Sequence, residues 1–170
     1  MLEAASRVRC KKEDFSGLSL LSFVSFTLYE IVLSYGSFLE ERKMAVILAA
    51  DDSESFHSTI EYTLVNKGGH QLEQAENGSA ALKKIEQYRN NMGKSYDLIL
   101  ADVNMPVMGG FEMVEEIRRM ADYRLTPIIF LTTQNSDEAK QRGRDLKATG
   151  WITKPFSPEV LLGVVARVLA

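Results

Sequence analysis

Cysteine is almost missing from this 170-residue chain. Cys10 is the only one, which excludes an intramolecular disulfide framework and a thiolate zinc cage. Histidine is nearly as scarce: His57 and His70 cannot build a multi-histidine metal site without carboxylate help. Neither sign of charge dominates. Twenty Lys and Arg against 23 Asp and Glu leave a net charge of −3, too mild for a chain whose main partner is a nucleic-acid backbone. Apolar residues at 45% and charged residues at 25% sit near the globular average and exclude the disordered class. What these absences leave is a small soluble domain in a reducing compartment, and a cytoplasmic location is expected.

The composition changes at Met44. Residues 1–43 hold six basic and six acidic residues; the net −3 belongs to residues 44–170. Within the first part, Leu18 to Leu39 carries a single charge, Glu30. Three readings of it stay open. A membrane anchor flanked by Arg7, Arg9, Lys11 and Lys12 has the length, but Glu30 and the hydroxyls from Ser19 to Ser37 make a poor lipid-facing helix. A packing or dimerising helix would use Leu21, Val24, Leu28, Ile31, Tyr35 and Phe38, a seam with alternating steps of three and four. Alternatively the natural start is Met44, because Glu40-Glu41-Arg42-Lys43 can be encoded entirely by purines, as a ribosome-binding site would be. The expected organisation is therefore an N-terminal extension, 1–43, and one domain, 44–170.

From Met44 onward, apolar runs alternate with helical periodicity five times. The expected strands are Ala45–Ala50, Gln71–Ala75, Tyr96–Ala101, Pro127–Thr132 and Trp151–Thr153. Between them, Phe56, Ile60 and Leu64 mark one helix, then Ala81, Leu82 and Ile85, then Phe111, Val114 and Ile117. Ser136-Asp137-Glu138 is a plausible helix entry, and a last helix is expected to bury Val160, Leu161, Val164, Val165 and Val168. Asn77-Gly78 reads as a turn and Asn90–Lys94 as a polar loop. Unbroken apolar strands alternating with helices predict an α/β fold, a doubly wound five-stranded parallel sheet with helices on both faces.

Ligands bind such sheets outside the carboxyl ends of the strands. There the sequence places Asp51 and Asp52 after the first strand and Asp102 after the third. Thr132 and Thr133 follow the fourth strand, and Lys154 follows the fifth. Three converging carboxylates repel one another, and a hard divalent cation with oxygen ligands, Mg²⁺, resolves the conflict. A phosphoryl group bridging metal, hydroxyl and lysine would use every member, which suggests phosphoryl transfer to a carboxylate. Each residue also has a plain structural use. Asp51-Asp52-Ser53 could cap a helix, Asp102 and Lys154-Pro155 could be turn residues, the threonines favour strands, and Trp151 could fill a core. The joint placement at matching strand ends carries the functional reading.

Asp51-Asp52-Ser53, Asp102-Val103-Asn104-Met105-Pro106-Val107-Met108-Gly109-Gly110, Leu131-Thr132-Thr133 and Gly150-Trp151-Ile152-Thr153-Lys154-Pro155-Phe156 together resemble a response-regulator receiver domain. The resemblance spans residues 44–170. It is strongest to stand-alone chemotaxis regulators of the CheY type, on the tract from Leu131 to Arg144 leading to Ala148-Thr149-Gly150-Trp151. It implies a flavodoxin-like receiver fold in which Asp102 accepts phosphate from a histidine kinase. Asp52, Asp102 and the carbonyl of Asn104 would bind Mg²⁺, with Asp51 acting through a bound water. Thr132 and Lys154 would hold phosphoryl oxygens beside Thr133, and the Lys154–Pro155 bond would be cis. Trp151 would turn inward as the switch aromatic, altering the face that partners read.

The chain departs from the family at Gly109, where many relatives have Asp; at Thr133, bulkier than the usual Ala or Ser; at Lys147, where close relatives have Gly; and at Trp151, larger than the Tyr of well-known members. Residue 170 falls at the end of the fifth helix, so the expected output is a protein contact, at the flagellar motor switch, with a phosphatase as a further partner. No nucleic acid and no membrane partner are expected. Two alternatives remain. One is a receiver tethered or dimerised through residues 18–39, acting as a phosphate sink or adaptor. The other is a Mg²⁺-dependent aspartyl phosphatase, against which Asn104, two residues after Asp102, counts because it cannot be a general acid.

Overall fold

The computed structural model of the protein describes residues 44–170; the three readings of residues 1–43 lie outside the described residues. The five apolar runs form β1 (Val46–Ala50), β2 (Gln71–Ala75), β3 (Leu98–Ala101), β4 (Ile128–Thr132) and β5 (Gly150–Thr153). All pair in parallel, in the order β2-β1-β3-β4-β5. The crossovers contain α1 (Glu54–Glu61), α2 (Gly78–Met92), α3 (Gly110–Arg119) and α4 (Asp137–Asp145), and α5 (Pro158–Leu169) follows β5. The strand order reverses between β1 and β3, so the crevice at their carboxyl ends is the place this topology offers a ligand.

Alternation along the strands splits the core in two. Leu48, Ile99, Ile128 and Phe130 lie on one face with Ile85, Val114 and Ile117 from α2 and α3. Ile47, Leu98, Leu100, Ile129 and Leu131 lie on the other with Ile60 of α1 and Leu161 and Val165 of α5. Residues of β3 and β4 are buried throughout, which explains their unbroken apolar sequences.

Three local expectations change. Asn77-Gly78 is not a free turn: Asn77 caps α2, its Oδ1 accepting from the Ala80 N–H at 2.9 Å. Asn90 and Asn91 remain helical, because α2 runs on until Gly93 adopts φ +62° and closes it. Val160 is 49% exposed. At 100° per residue it lies on the rim of the stripe centred on Leu161 and Val165, while Val164 and Val168 pack partly against the core. After α1 the chain widens into a π-helical turn, Tyr62–Lys67. The hydroxyls of Ser58, Thr59 and Thr63 each bond the carbonyl four residues back and so compete with the regular helical pattern.

The end of α4 places residue 147 in a conformation that favours glycine. The Lys147 N–H bonds the Arg144 carbonyl at 2.9 Å, and the Ala148 N–H bonds the Gly143 carbonyl at 3.0 Å. That is a Schellman closure, which puts residue 147 in the left-handed region, at φ +56°. The Arg118 guanidinium of α3 reaches across and donates to the carbonyls of Leu146, Lys147, Tyr123 and Thr126. A second left-handed residue is Val107, φ +67°, spanned by a 2.7 Å bond from the Met108 N–H to the Pro106 carbonyl. This is a γ-turn of the strained, positive-φ kind on a β-branched residue. Lys147→Gly and Val107→Asn are each expected to stabilise the fold by about 0.5–1 kcal/mol. Thermal melts check this, each variant melting a few degrees above the parent, roughly 2–4 °C.

Candidate functional site

Four of the five strands, β1, β3, β4 and β5, deliver polar residues to the same end of the sheet. Ligand oxygens of Asp51, Asp52 and Asp102 all lie within 4.8 Å of one another. Asp51 and Asp102 are buried and Asp52 is exposed. The backbone shapes the cluster: the Ser53 N–H donates to Asp51 Oδ1 at 3.0 Å, and the Asn104 N–H donates to Asp102 Oδ1 at 3.2 Å. Ser53 also caps α1, its Oγ accepting from the Phe56 N–H, so the acidic triplet serves both as a cap and as a site. Gly110 lets α3 begin against the Asp102 main chain. A Cβ there would stand 2.0 Å from the Asp102 carbonyl oxygen.

Lys154 follows β5 and donates to Asp102 Oδ2 at 2.6 Å and to Asp51 Oδ2. The peptide bond between Lys154 and Pro155 is cis. Burial pushes the Asp51 carboxyl above its ordinary 3.8, and the Lys154 ammonium offsets that only in part. Thr132 is fully buried and its Oγ1 accepts from the Gln134 N–H at 3.2 Å, which leaves the hydroxyl proton free to be donated. Thr133 is exposed at the rim and Asn104 is exposed beside Asp102. Three carboxylates against one ammonium form an oxygen-only, net-negative donor set, which fits a hard divalent cation such as Mg²⁺.

Trp151 stands apart from the carboxylates. β4 and β5 pair Phe130 with Trp151 and Thr132 with Thr153, so Thr132 and Trp151 share one face of the sheet, one diagonal step apart. The indole already packs inward, its centroid 5.2 Å from Phe130 and 6.3 Å from Phe111. Its Nε1–H is buried with no hydrogen-bond partner among the described residues. Gly143 of α4 makes the room, since a Cβ there would meet indole carbons at 3.1 and 3.2 Å. Gly143→Ala is expected to displace the ring toward solvent and red-shift its emission. Stability should change little, because the gain in helix propensity offsets the lost packing. Trp151 is the sole tryptophan, so a steady-state spectrum checks this directly.

Sequence reasoning missed three features here. Phe56 marks the helical spacing of α1 in the sequence, yet its ring lies under the Lys154 ammonium, 3.8 Å from the centroid. The signal was its place at the third position after the Ser53 cap, since side chains in a first turn lean back toward the helix N-terminus. A cavity of about 520 Å³ opens next to the site, lined by Asn104, Gln134, Phe111, Glu112 and Arg142. Over it, Arg142 stacks 4.5 Å from the Phe111 centroid and pairs with Glu112 at 3.3 Å. Neither this pairing nor the Arg118 clamp follows from local pattern.

Residues 47–166 match the response regulator receiver domain, and the chain belongs to that family. It is 46% identical to the chemotaxis response regulator CheY4 of Vibrio cholerae, over 75% of this chain and 100% of that one, with a TM-score of 0.67. It is 33% identical over 129 residues to the protein PilH of Pseudomonas aeruginosa, covering 75% of this chain and 99% of that protein. Against the "Probable transcriptional regulator ycf29" of Porphyra purpurea the identity is 29% over 98 residues, and the chain spans only 47% of that protein's length. The fold is thus the CheY-type receiver fold, a signalling module. Among the described residues no helix is long and apolar enough to cross a membrane.

Proposed function

We propose that residues 44–170 are a receiver acting as a single-domain response regulator, with residues 1–43 an extension. The observation that carries it is Lys154 bonded to both Asp51 and Asp102 where three carboxylates converge. Asp102 is the phosphoacceptor: its carboxylate oxygen forms the new bond to phosphorus as the P–N bond of a histidine kinase's phosphohistidine breaks and the imidazole leaves. Mg²⁺, held by Asp52, Asp102 and the Asn104 carbonyl with Asp51 behind it, would neutralise charge on the transferring group. Lys154 pairs with one phosphoryl oxygen and the Thr132 hydroxyl donates to another, with Thr133 at the rim.

Thr132 shares a sheet face with Trp151, so its movement toward a phosphoryl group would be felt at the indole and at the surface of α4, β5 and α5. Partners would read that surface: a flagellar motor switch protein, by likeness to the chemotaxis regulators, and a phosphatase. The location that goes with this role is the cytoplasm. The test follows Trp151 emission during addition of Mg²⁺ and then acetyl phosphate, with intact mass measured in parallel. The expected result is a Mg²⁺ response, then a second change accompanied by the mass of one phosphoryl group. No added mass in the presence of Mg²⁺ and donor overturns the proposal.

A further inference from the structure

The Lys154 ammonium has three neighbours. Two are carboxylates, of Asp51 and Asp102, and the third is the face of Phe56, 3.8 Å from Nζ to the ring centroid. The ring is itself fixed. Phe56 sits in the first turn of α1, its N–H bonded to Ser53. Phe156, two residues after Lys154, meets it edge-on with centroids 5.4 Å apart and planes at 86°. The segment 154–156 is therefore fastened to α1 twice, once by a cation over a ring and once by a ring edge.

The three neighbours differ in what competes for them. A divalent cation at the acidic cluster would draw on the same carboxylate groups that hold the lysine, and so weaken both ion pairs. The aromatic face offers no lone pair that a hard cation would prefer to oxygen, so it stays with the ammonium. We infer that Phe56 is a positioning residue for Lys154, holding the ammonium at the phosphoacceptor when metal occupies the carboxylates. This deepens the proposed phosphoacceptor role and rests on it for the kinetic consequence, though the ring–lysine contact itself does not.

The test has two readouts on the full chain. In NMR spectra, the ring current of Phe56 should move the Lys154 ε-methylene protons upfield. The shift should persist through a Mg²⁺ titration and vanish in Phe56→Leu. In kinetics, position 56 is filled with 4-fluoro-, 3,5-difluoro- and pentafluorophenylalanine, which keep the ring and progressively remove its negative face. Phosphorylation by acetyl phosphate should slow stepwise, by about three- to thirty-fold across the series, with Phe56→Tyr near the parent rate. Loss of the upfield shift on adding Mg²⁺ overturns the inference, as does a fluorinated series that reacts at the parent rate. A parent that takes up no phosphoryl group sinks the phosphoacceptor proposal instead, and the NMR titration then decides the ring–lysine contact alone.

Discussion

Asp102→Asn is expected to reduce phosphoryl uptake from acetyl phosphate to background, measured as intact mass, while the domain stays folded. An amide has no anionic oxygen to attack phosphorus. Structurally the exchange is mild: the Asn104 N–H keeps an oxygen to donate to, Lys154 keeps Asp51, and one negative charge leaves a crowded cluster. Metal-free melting should therefore occur at or above the parent's temperature. Its gain on adding Mg²⁺ should shrink, the binding midpoint rising at least about tenfold, or about 1.4 kcal/mol. The pH dependence has a definite sign. Burial raises the Asp51 carboxyl above 3.8, so only between 3.8 and that raised value does the native state hold a proton that the unfolded chain has released. That contribution to stability is present below 3.8 and is lost as pH rises through the raised value. Mg²⁺ competes with the same proton, so its affinity falls on acidification before an ordinary aspartate would begin to titrate. Mg²⁺ titrations followed by Trp151 emission at several pH values measure it.

Gly110→Ala is the second large effect. The added methyl would lie 2.0 Å from the Asp102 carbonyl oxygen and 2.9 Å from its carbon, both main-chain atoms that cannot swing aside. The start of α3 must shift or the Asp102 main chain must move. Overpacking of this kind costs about 1–3 kcal/mol, lowering the melting temperature by roughly 5–10 °C. Phosphoryl uptake should fall with it, because the displaced backbone carries the acceptor. Gly109→Ala is the control: its Cβ would press mainly on the flexible Glu112 carboxylate, 2.7 Å away, with the Val103 carbonyl at 3.0 Å, so a smaller loss is expected. Melting curves and mass measurements on the two variants separate the cases.

The parts of this molecule legible in the sequence are those written in one-dimensional pattern. β1, β3 and β4 announce themselves because strands covered on both faces leave no polar position to interrupt them. The site residues are legible because a parallel sheet sends successive strand ends to one edge. Asp51, Asp102, Thr132 and Lys154 each close a strand, and the structure brings them to the same end of the sheet. What stays hidden depends on pairs far apart in sequence. Gly143 looks like a weak spot in a helix until the indole eight residues later is seen against it. Phe56 looks like core until Lys154, nearly a hundred positions away, arrives over its ring. Asn77-Gly78 misleads for a local reason, since the same dipeptide serves equally as a turn and as a helix cap with its first residue.

Arg118 gives the domain an end that ionic strength does not loosen. Its charge is met by four carbonyl dipoles, and among the described residues no carboxylate pairs with it. Dissolved ions screen charge against charge, as between the exposed Lys67 and Glu159 at 3.8 Å, but they find no counter-charge to replace here. The two loops it joins, one leaving α3 and one leaving α4, should therefore stay docked in brine that releases the surface pairs. They form a fixed base for α3, the helix that begins against the Asp102 main chain.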